Sequence, residues 1–461
     1  MNYTKTLSLS LTLCVLFLGC TTIEPNLNIE VESAKEFEAP NKSAHKISQE
    51  NWWRDFGSKE LSTLIEKGLQ NSPDMLVAFE RITQSRIARN TAATPLLPSV
   101  DLRGGSSISE RDVYNTNATT SKSTNAEISM SYELDVWGRI AASVRLADEN
   151  LAISKYDYEA LKLSLAANIA QNYFLYQGAL QRAEIAHNNV EIAKKVLAIM
   201  EARLKYGAIN ALDVSRQKTA LFNQEANLIT LQNQTKVYKN ALAILVGLSP
   251  NSFEVAQESL ENFSAPIVNA GLPSELLQRR PDIAASRAAI SASKAAIQIA
   301  DAAWYPSFSL SSAAGTSSGD LLAFSNPAYA ISAGLGMSYN IFDDGRLTNA
   351  RLTEESKANA VLQTYKLTLL TAFKEVEDAL NAIDYTTQNL LLTQKTLKES
   401  AYTFELATIQ YKNGLIDFNA FLDVQQTYFS AQERLLQAKQ ERLGASVTLY
   451  KALGGGFTSE F

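Results

Sequence analysis

Asn71-Ser72-Pro73-Asp74-Met75 returns 208 positions on as Arg279-Arg280-Pro281-Asp282-Ile283, and this echo decides how the chain is built. Other stretches echo in the same order. Leu97-Pro98-Ser99-Val100 returns as Tyr305-Pro306-Ser307-Phe308, and Trp137-Gly138-Arg139-Ile140 as Asp344-Gly345-Arg346-Leu347. Leu212-Asp213-Val214 returns as Leu422-Asp423-Val424, and Leu245-Val246-Gly247 as Leu453-Gly454-Gly455. One structural unit therefore occurs twice. It spans residues 51–248 and again 273–461, joined by a linker at 249–272. The spacings vary from 207 to 210, which reads as small insertions.

Each copy reads helix, strand pair, long helix, shorter helix. The strands show period-2 alternation. Val100 and Leu102 alternate with Asp101 and Arg103. Ala126, Ile128, Met130, Tyr132, Leu134 and Val136 alternate with Glu127, Ser129, Ser131, Glu133 and Asp135. In the second copy Phe308 and Leu310 alternate with serines, and Ile331, Ala333, Leu335, Met337, Tyr339 and Ile341 keep the same rhythm. One apolar and one polar face over about 10 residues is the pattern of a membrane barrel with a wet lumen. Arg111–Thr124 and Thr316–Asn326 read as polar loops between the strands.

The helical parts follow heptads. Tyr176, Ala179, Ala183, Ala186, Val190, Ala193, Leu197, Met200 and Leu204 are spaced three and four apart, and Phe373 to Tyr411 continue likewise. Return helices run from Val214 to Leu245 and from Phe421 to Ala452, so the arms are antiparallel coiled-coil hairpins turning at Gly207 and Gly414. A helix from Ala141 to Tyr206 is roughly 100 Å long, whereas its return partner reaches only roughly 55 Å. The helices around Leu76–Thr91 and Ile283–Ala303 are the candidates to line the remaining length.

Four such strands cannot close a barrel, which needs about eight. An open edge cannot sit in lipid, because its backbone groups go unpaired there. The chain must associate, and three copies give twelve strands. The predicted fold is mainly α with a β membrane part: a long antiparallel coiled-coil α-barrel plus a trimeric 12-stranded β-barrel.

Lys5 precedes an apolar stretch, Leu7 to Gly19, that is too short to span a bilayer and fits a signal-peptide core at residues 1–19. It ends in Phe17-Leu18-Gly19-Cys20, which resembles the lipobox of bacterial lipoproteins, so Cys20 is the expected acylated first residue. Residues 20–50 then read as a polar tether, and Thr21 after the Cys favours the outer membrane. Cys14 leaves with the signal, so no disulfide forms. The chain has 46% hydrophobic and 20% charged residues and a net charge of −6. That balance gives no reason to expect nucleic acid as a partner, since phosphate binding wants clustered Lys and Arg. Two histidines, His45 and His187, are poor material for a metal site or an acid–base enzyme. No HExxH, P-loop or nucleophile elbow occurs. No catalytic residue, cofactor or resident metal is expected.

The lipobox, the duplicated unit, Leu276-Leu277-Gln278-Arg279-Arg280-Pro281-Asp282-Ile283, and Tyr411-Lys412-Asn413-Gly414 followed by Leu422-Asp423-Val424 together resemble the TolC family. The closest likeness is to the lipoprotein branch that serves resistance–nodulation–division efflux pumps. The resemblance runs from Trp52 to Gly455. It implies a homotrimer in the outer membrane that extends into the periplasm, a passive exit duct for drugs or other toxic small molecules. A periplasmic adaptor and an inner-membrane pump are its implied partners. A structural coiled-coil lipoprotein and a duct for type I protein secretion are the alternatives; the first leaves the strand pairs unexplained, and the lipobox and Arg-Arg-Pro-Asp segment speak against the second.

The hairpin ends carry the candidate site. Asp423, Asp417 and Asp213 are candidates for a periplasmic gate, each giving three carboxylates around a trimer axis, where like charges repel and attract cations. Capping or first-turn dipole stabilisation competes with that role, since Asp213 and Asp423 both read as starting return helices. Gln426 departs from relatives that carry a second acid there. By the same resemblance Tyr206, Gly207, Gly414 and Leu415 lie near the adaptor contact. Gly207 to Asp213 spans six steps and Gly414 to Asp423 nine, which predicts a longer second tip that bends inward.

Overall fold

The structure, a computed structural model, describes residues 51–112, 114, 118–266 and 276–457. The expected signal peptide and tether, Cys20 included, lie outside the described residues, as does the end of the linker. The first copy comprises α1 (Lys59–Asn71), α2 (Pro73–Ala93), β1 (Ser99–Arg111), β2 (Thr119–Leu134), α3 (Arg139–Lys205) and α4 (Ala211–Leu245). The second comprises α5 (Pro281–Ala302), β3 (Ser307–Ser318), β4 (Ala328–Ser338), α6 (Arg346–Lys412) and α7 (Phe418–Ala452). The long helices α3 and α6 have 67 residues each, and α4 and α7 have 35 each. All four pairs of ends lie 207 positions apart.

The chain divides into two compact units. The described part of the first holds residues 83–112, 114, 118–153 and 286–366. Its centre is one antiparallel sheet in the order β1-β2-β3-β4, with β1 and β4 as free edges. The register lines the apolar residues up in rows. Leu134, Phe308 and Met337 share one row; Tyr132, Leu310 and Leu335 the next. Val100, Met130, Ser312 and Ala333 follow, then Leu102, Ile128, Ala314 and Ile331. Asp101, Arg103, Glu127, Ser129, Ser309 and Ser311 occupy the alternate positions and so the other face. Period-2 contrast predicts a loop at Arg111–Thr124, but β2 begins at Thr119 and β3 reaches Ser318. Beyond Ala126 both faces are polar, so the strand continues without the alternation that would reveal it.

Gly138 and Gly345, both at positive φ, turn strand into helix, and Asp135 and Asp343 accept from the first backbone amides of α3 and α6. Arg89 meets Asp148 at 2.8 Å, joining α2 to α3, and Arg351 meets Asp301 at 2.6 Å, joining α6 to α5. Such exposed pairs contribute at most about 1 kcal/mol each. Their value here is positional: α2 and α5 do lie beside the starts of the long helices.

The described part of the second unit holds residues 51–82, 154–266, 276–285 and 367–457. Its core gathers Trp52, Trp53, Phe56, Tyr173, Phe174, Phe263 and Tyr450. The heptad seam is buried as the spacing requires, with Ala179, Ala186, Val190, Ala193 and Met200 all shielded. The segment after α4 is a strap over α3: Gln177 donates to the Ala256 carbonyl and accepts from the Glu258 amide. The twin Pro and Gly motifs meet each other. A Cβ on Gly247 would lie 2.5 Å from the Asn71 carbonyl oxygen, and one on Gly454 would lie 1.9 Å from that of Arg279. Each copy thus closes the end of its return helix onto the start of its Pro helix. No helix among the described residues is long and apolar enough to cross a membrane. That says nothing of a β-barrel.

Candidate functional site at the hairpin tips and the open sheet

Both tips have the same construction. Gly207, at φ +72°, and Gly414, at φ +73°, end α3 and α6 in the left-handed conformation. Ala208 N–H reaches back to the Arg203 carbonyl, and Leu415 N–H to that of Gln410, both at 2.9 Å. These are paired six-to-one closures, which only a residue free of Cβ strain favours. Three residues after each glycine comes a cap: Asn210 accepts from the Asp213 amide at 2.9 Å, and Asp417 accepts from the Ala420 amide at 2.8 Å. Each turn therefore has five residues, 206–210 and 413–417.

Two sequence expectations fall here. The second tip is not longer than the first, because Leu212-Asp213-Val214 and Leu422-Asp423-Val424 are not equivalent. The true offset is 207, so Asp417 answers Asn210, and Asp423 answers Arg216. Nor does Asp423 start its helix. It lies at the sixth position of α7, exposed and past the first turn, so it neither caps nor sits at the dipole end. Asp213 is a first-turn residue of α4, and Asp417 is the cap of α7.

The tips are tied together by side chains that sequence reading passes over. Arg203 lies 5.1 Å from the Tyr411 ring centre, and its guanidinium donates to the Lys412 carbonyl. Arg216 donates to the Asn419 side chain, one turn before Asp423 on α7. Tyr411, Phe418, Phe421 and Phe404 form an aromatic cluster that also buries Met200 and Val214. Burial pushes the Tyr411 hydroxyl up, Arg203 pulls it down, and Asp213 raises it again. Asp213 lies close enough to act electrostatically on Tyr411, whereas Asp423 sits on the exposed surface of α7. Tyr206 and Leu415 are 83% and 73% exposed at the turns, and a Cβ on Gly207 or Gly414 would meet nothing within 4 Å.

The Arg-Arg-Pro-Asp segment does structural work. Arg280 donates to the Ala452 carbonyl at the end of α7, pairs with Asp282 and reaches Glu375 of α6 at 2.7 Å. Burial lowers the basicity of its guanidinium, but Asp282 and Glu375 hold it above the ordinary value. A cation at a helix C-terminus satisfies carbonyls that the helix itself leaves open.

At the other candidate region, Leu102, Ile128, Ile331 and Leu335 stand exposed on one sheet face, and both sheet edges are open. An amphipathic open sheet and coiled-coil hairpins on one duplicated frame define a class: subunits of outer-membrane channels with a helical barrel and a β domain.

The chain belongs to the outer membrane efflux protein family, whose model matches it twice, over residues 64–248 and 272–455. It is 34% identical over 470 residues to the pyoverdine export outer membrane protein OpmQ of Pseudomonas aeruginosa, covering 99% of this chain and 98% of that one. The toluene efflux pump outer membrane protein TtgC of Pseudomonas putida is 28% identical over 98% of this chain and 95% of its own. The solved structure of the outer-membrane channel OprN superposes with a TM-score of 0.85 at 27% identity, covering 95% of this chain and 99% of that one. The protein is thus an outer-membrane efflux channel subunit, a passive exit duct.

Proposed function

We propose that three copies of this chain close a 12-stranded barrel and form the exit duct of a tripartite pump, joined to a periplasmic adaptor and an inner-membrane pump. The open four-stranded sheet carries this reading. Its apolar residues align in rows on one face, and its two edges, β1 and β4, are unpaired. Lipid tolerates neither edge, and a second and third copy satisfy both. The helices support the same occupant. Phe222, Ile229, Val237 and Ile244 form an exposed stripe on α4 at near-heptad spacing, and Tyr385, Leu392 and Leu406 form another on α6. Apolar stripes at that period fit helices of further copies.

In this reading Cys20 carries the acyl anchor, and the exposed turns at Tyr206, Gly207, Gly414 and Leu415 meet the adaptor. Asp213, Asp417 and Asp423 surround the periplasmic opening. Arg216 offsets part of the charge at Asp423, so the gate is mixed rather than purely acidic. The duct catalyses no reaction. Pyoverdine and toluene, the cargoes named for two relatives, share no chemistry, so cargo choice lies with the pump and the duct passes small molecules of either kind. Native mass spectrometry of the detergent-purified protein tests the assembly. Three chains, each with acyl mass on its mature N-terminus, are expected. A homogeneous monomer would end the closure argument, and an unacylated Cys20 would end the anchor.

A further inference from the structure

The sheet's apolar face ends abruptly. One row above Gly104, Ala126, Thr316 and Tyr329, the register places Ser106, Thr124 and Ser318, hydroxyl side chains in a line. Thr124 and Ser318 are nevertheless 7% and 6% exposed, on a sheet that is otherwise mostly open. The residues between β3 and β4 cover them. Thr124 Oγ1 donates to the Asp320 carbonyl at 2.7 Å, and the Leu322 amide donates to Thr124 Oγ1 at 2.9 Å and Ser106 Oγ at 3.1 Å. Ser318 Oγ donates to the Ser325 carbonyl, and the Ser325 hydroxyl donates to the Asp320 carboxylate, the only charge between Gly319 and Asn326.

This loop holds Leu322 at φ +57°, a conformation that glycine or asparagine adopts readily and leucine does not. The leucine kept there is 82% exposed and packs little within its own chain. Leu321 and Phe324 beside it are also exposed. Strain at an exposed apolar side chain points to a contact outside the chain.

The heights agree with that. From Leu134 to Ala126 along β2, the apolar rows span about 27 Å at 3.4 Å per residue, and about 21 Å vertically at a tilt near 40°. A barrel's lipid belt is about 25 Å tall. Adding the hydroxyl row brings the height to about 26 Å, but only if something apolar covers those hydroxyls. Leu321, Leu322 and Phe324 are the exposed apolar side chains of the loop whose backbone closes over that row.

We propose that residues 319–326 form an apolar lip that completes the lipid belt of each subunit, with Leu322 and Phe324 in the acyl chains near the outer boundary of the membrane. The proposal rests on the barrel reading above, and the test separates the two. Leu322→Trp, Phe324→Trp, Leu335→Trp and Ser129→Trp are each reconstituted as full-length trimers into phosphatidylcholine vesicles carrying bromine on the acyl chains. Quenching is read as the difference from the parent protein. Leu335→Trp, within the apolar rows, and both lip variants should be quenched at least twofold more than Ser129→Trp on the opposite face. Bromine near the headgroup end should quench the lip more than bromine near the chain end. If Leu335→Trp is quenched and the lip variants match Ser129→Trp, the lip is refuted and the barrel stands. The lip would then face water or an adjoining subunit. If Leu335→Trp also matches Ser129→Trp, the barrel reading itself fails and takes the lip with it.

Discussion

Placing an arginine on either face of β2 should separate two energies of very different size. Ile128 lies in the row with Leu102, Ala314 and Ile331, one row from the middle of the apolar band. A guanidinium there sits within about 5 Å of the midplane, where arginine on a barrel's lipid face costs about 2–4 kcal/mol. Three subunits raise this to roughly 6–12 kcal/mol per assembly, comparable with the roughly 5–15 kcal/mol that holds a domain folded. Ile128→Arg should therefore abolish trimer insertion. Ser129 is one residue away but points to the other face, opposite Asp101 and Ala313. Arginine at that position gains an acid across the strand pair, which contributes up to about 1 kcal/mol. Ser129→Arg should insert normally. The assay is the yield of outer-membrane trimer after fractionation, with Leu335→Arg as a second lipid-face variant on β4. Equal yields for Ile128→Arg and Ser129→Arg would mean that the face assignment is wrong.

Gly454→Ala should destabilise far more than Gly207→Ala. Both lie at positive φ, a penalty of about 1–2 kcal/mol for a Cβ, but only at 454 does that Cβ collide with backbone, for about 1–3 kcal/mol more; thermal unfolding followed by circular dichroism should show at least twice the shift in midpoint, and equal shifts would refute the Pro–Gly closure. Arg203→Ala removes a cation–π contact and a hydrogen bond to the second tip, about 1–2 kcal/mol per subunit, and should raise the open fraction of single channels; unchanged gating would leave the contact merely structural. Asp423→Ala should weaken channel block by a trivalent cation added from the periplasmic side, and Arg216→Ala should strengthen it; the same block in both variants and the parent would remove this pair from the gate.

How much of this was legible depended on contrast between faces. The coiled-coil seam shows in sequence because Ala186, Val190 and Ala193 are apolar against polar neighbours, and they are buried. The lower strands show for the same reason. Thr119–Asn125 does not, since neither face of that stretch is apolar. The tips misled because Leu-Asp-Val recurs by chance three residues out of register. The αL glycine with a cap three residues later, Gly207 to Asn210 and Gly414 to Asp417, is the better ruler. Measured that way, Arg216 takes in the first copy the place that Asp423 takes in the second, and the unequal tips vanish. Arg203 and Tyr411 could not be paired from sequence, because their contact joins residues 208 positions apart on two different hairpins. The hydroxyl row under residues 319–326 was likewise invisible, since Ser106, Thr124 and Ser318 read as ordinary loop or strand residues until the register aligned them.

The central claim is that this chain makes a hole through a membrane rather than a scaffold attached to one. Adding the purified, mass-verified trimer to a planar lipid bilayer under voltage tests that directly. Discrete conductance steps of uniform size are predicted, with a larger or longer-lived open level in Arg203→Ala. A bilayer that stays silent, although flotation shows the trimer inserted, would contradict the account and leave a structural coiled-coil lipoprotein in its place.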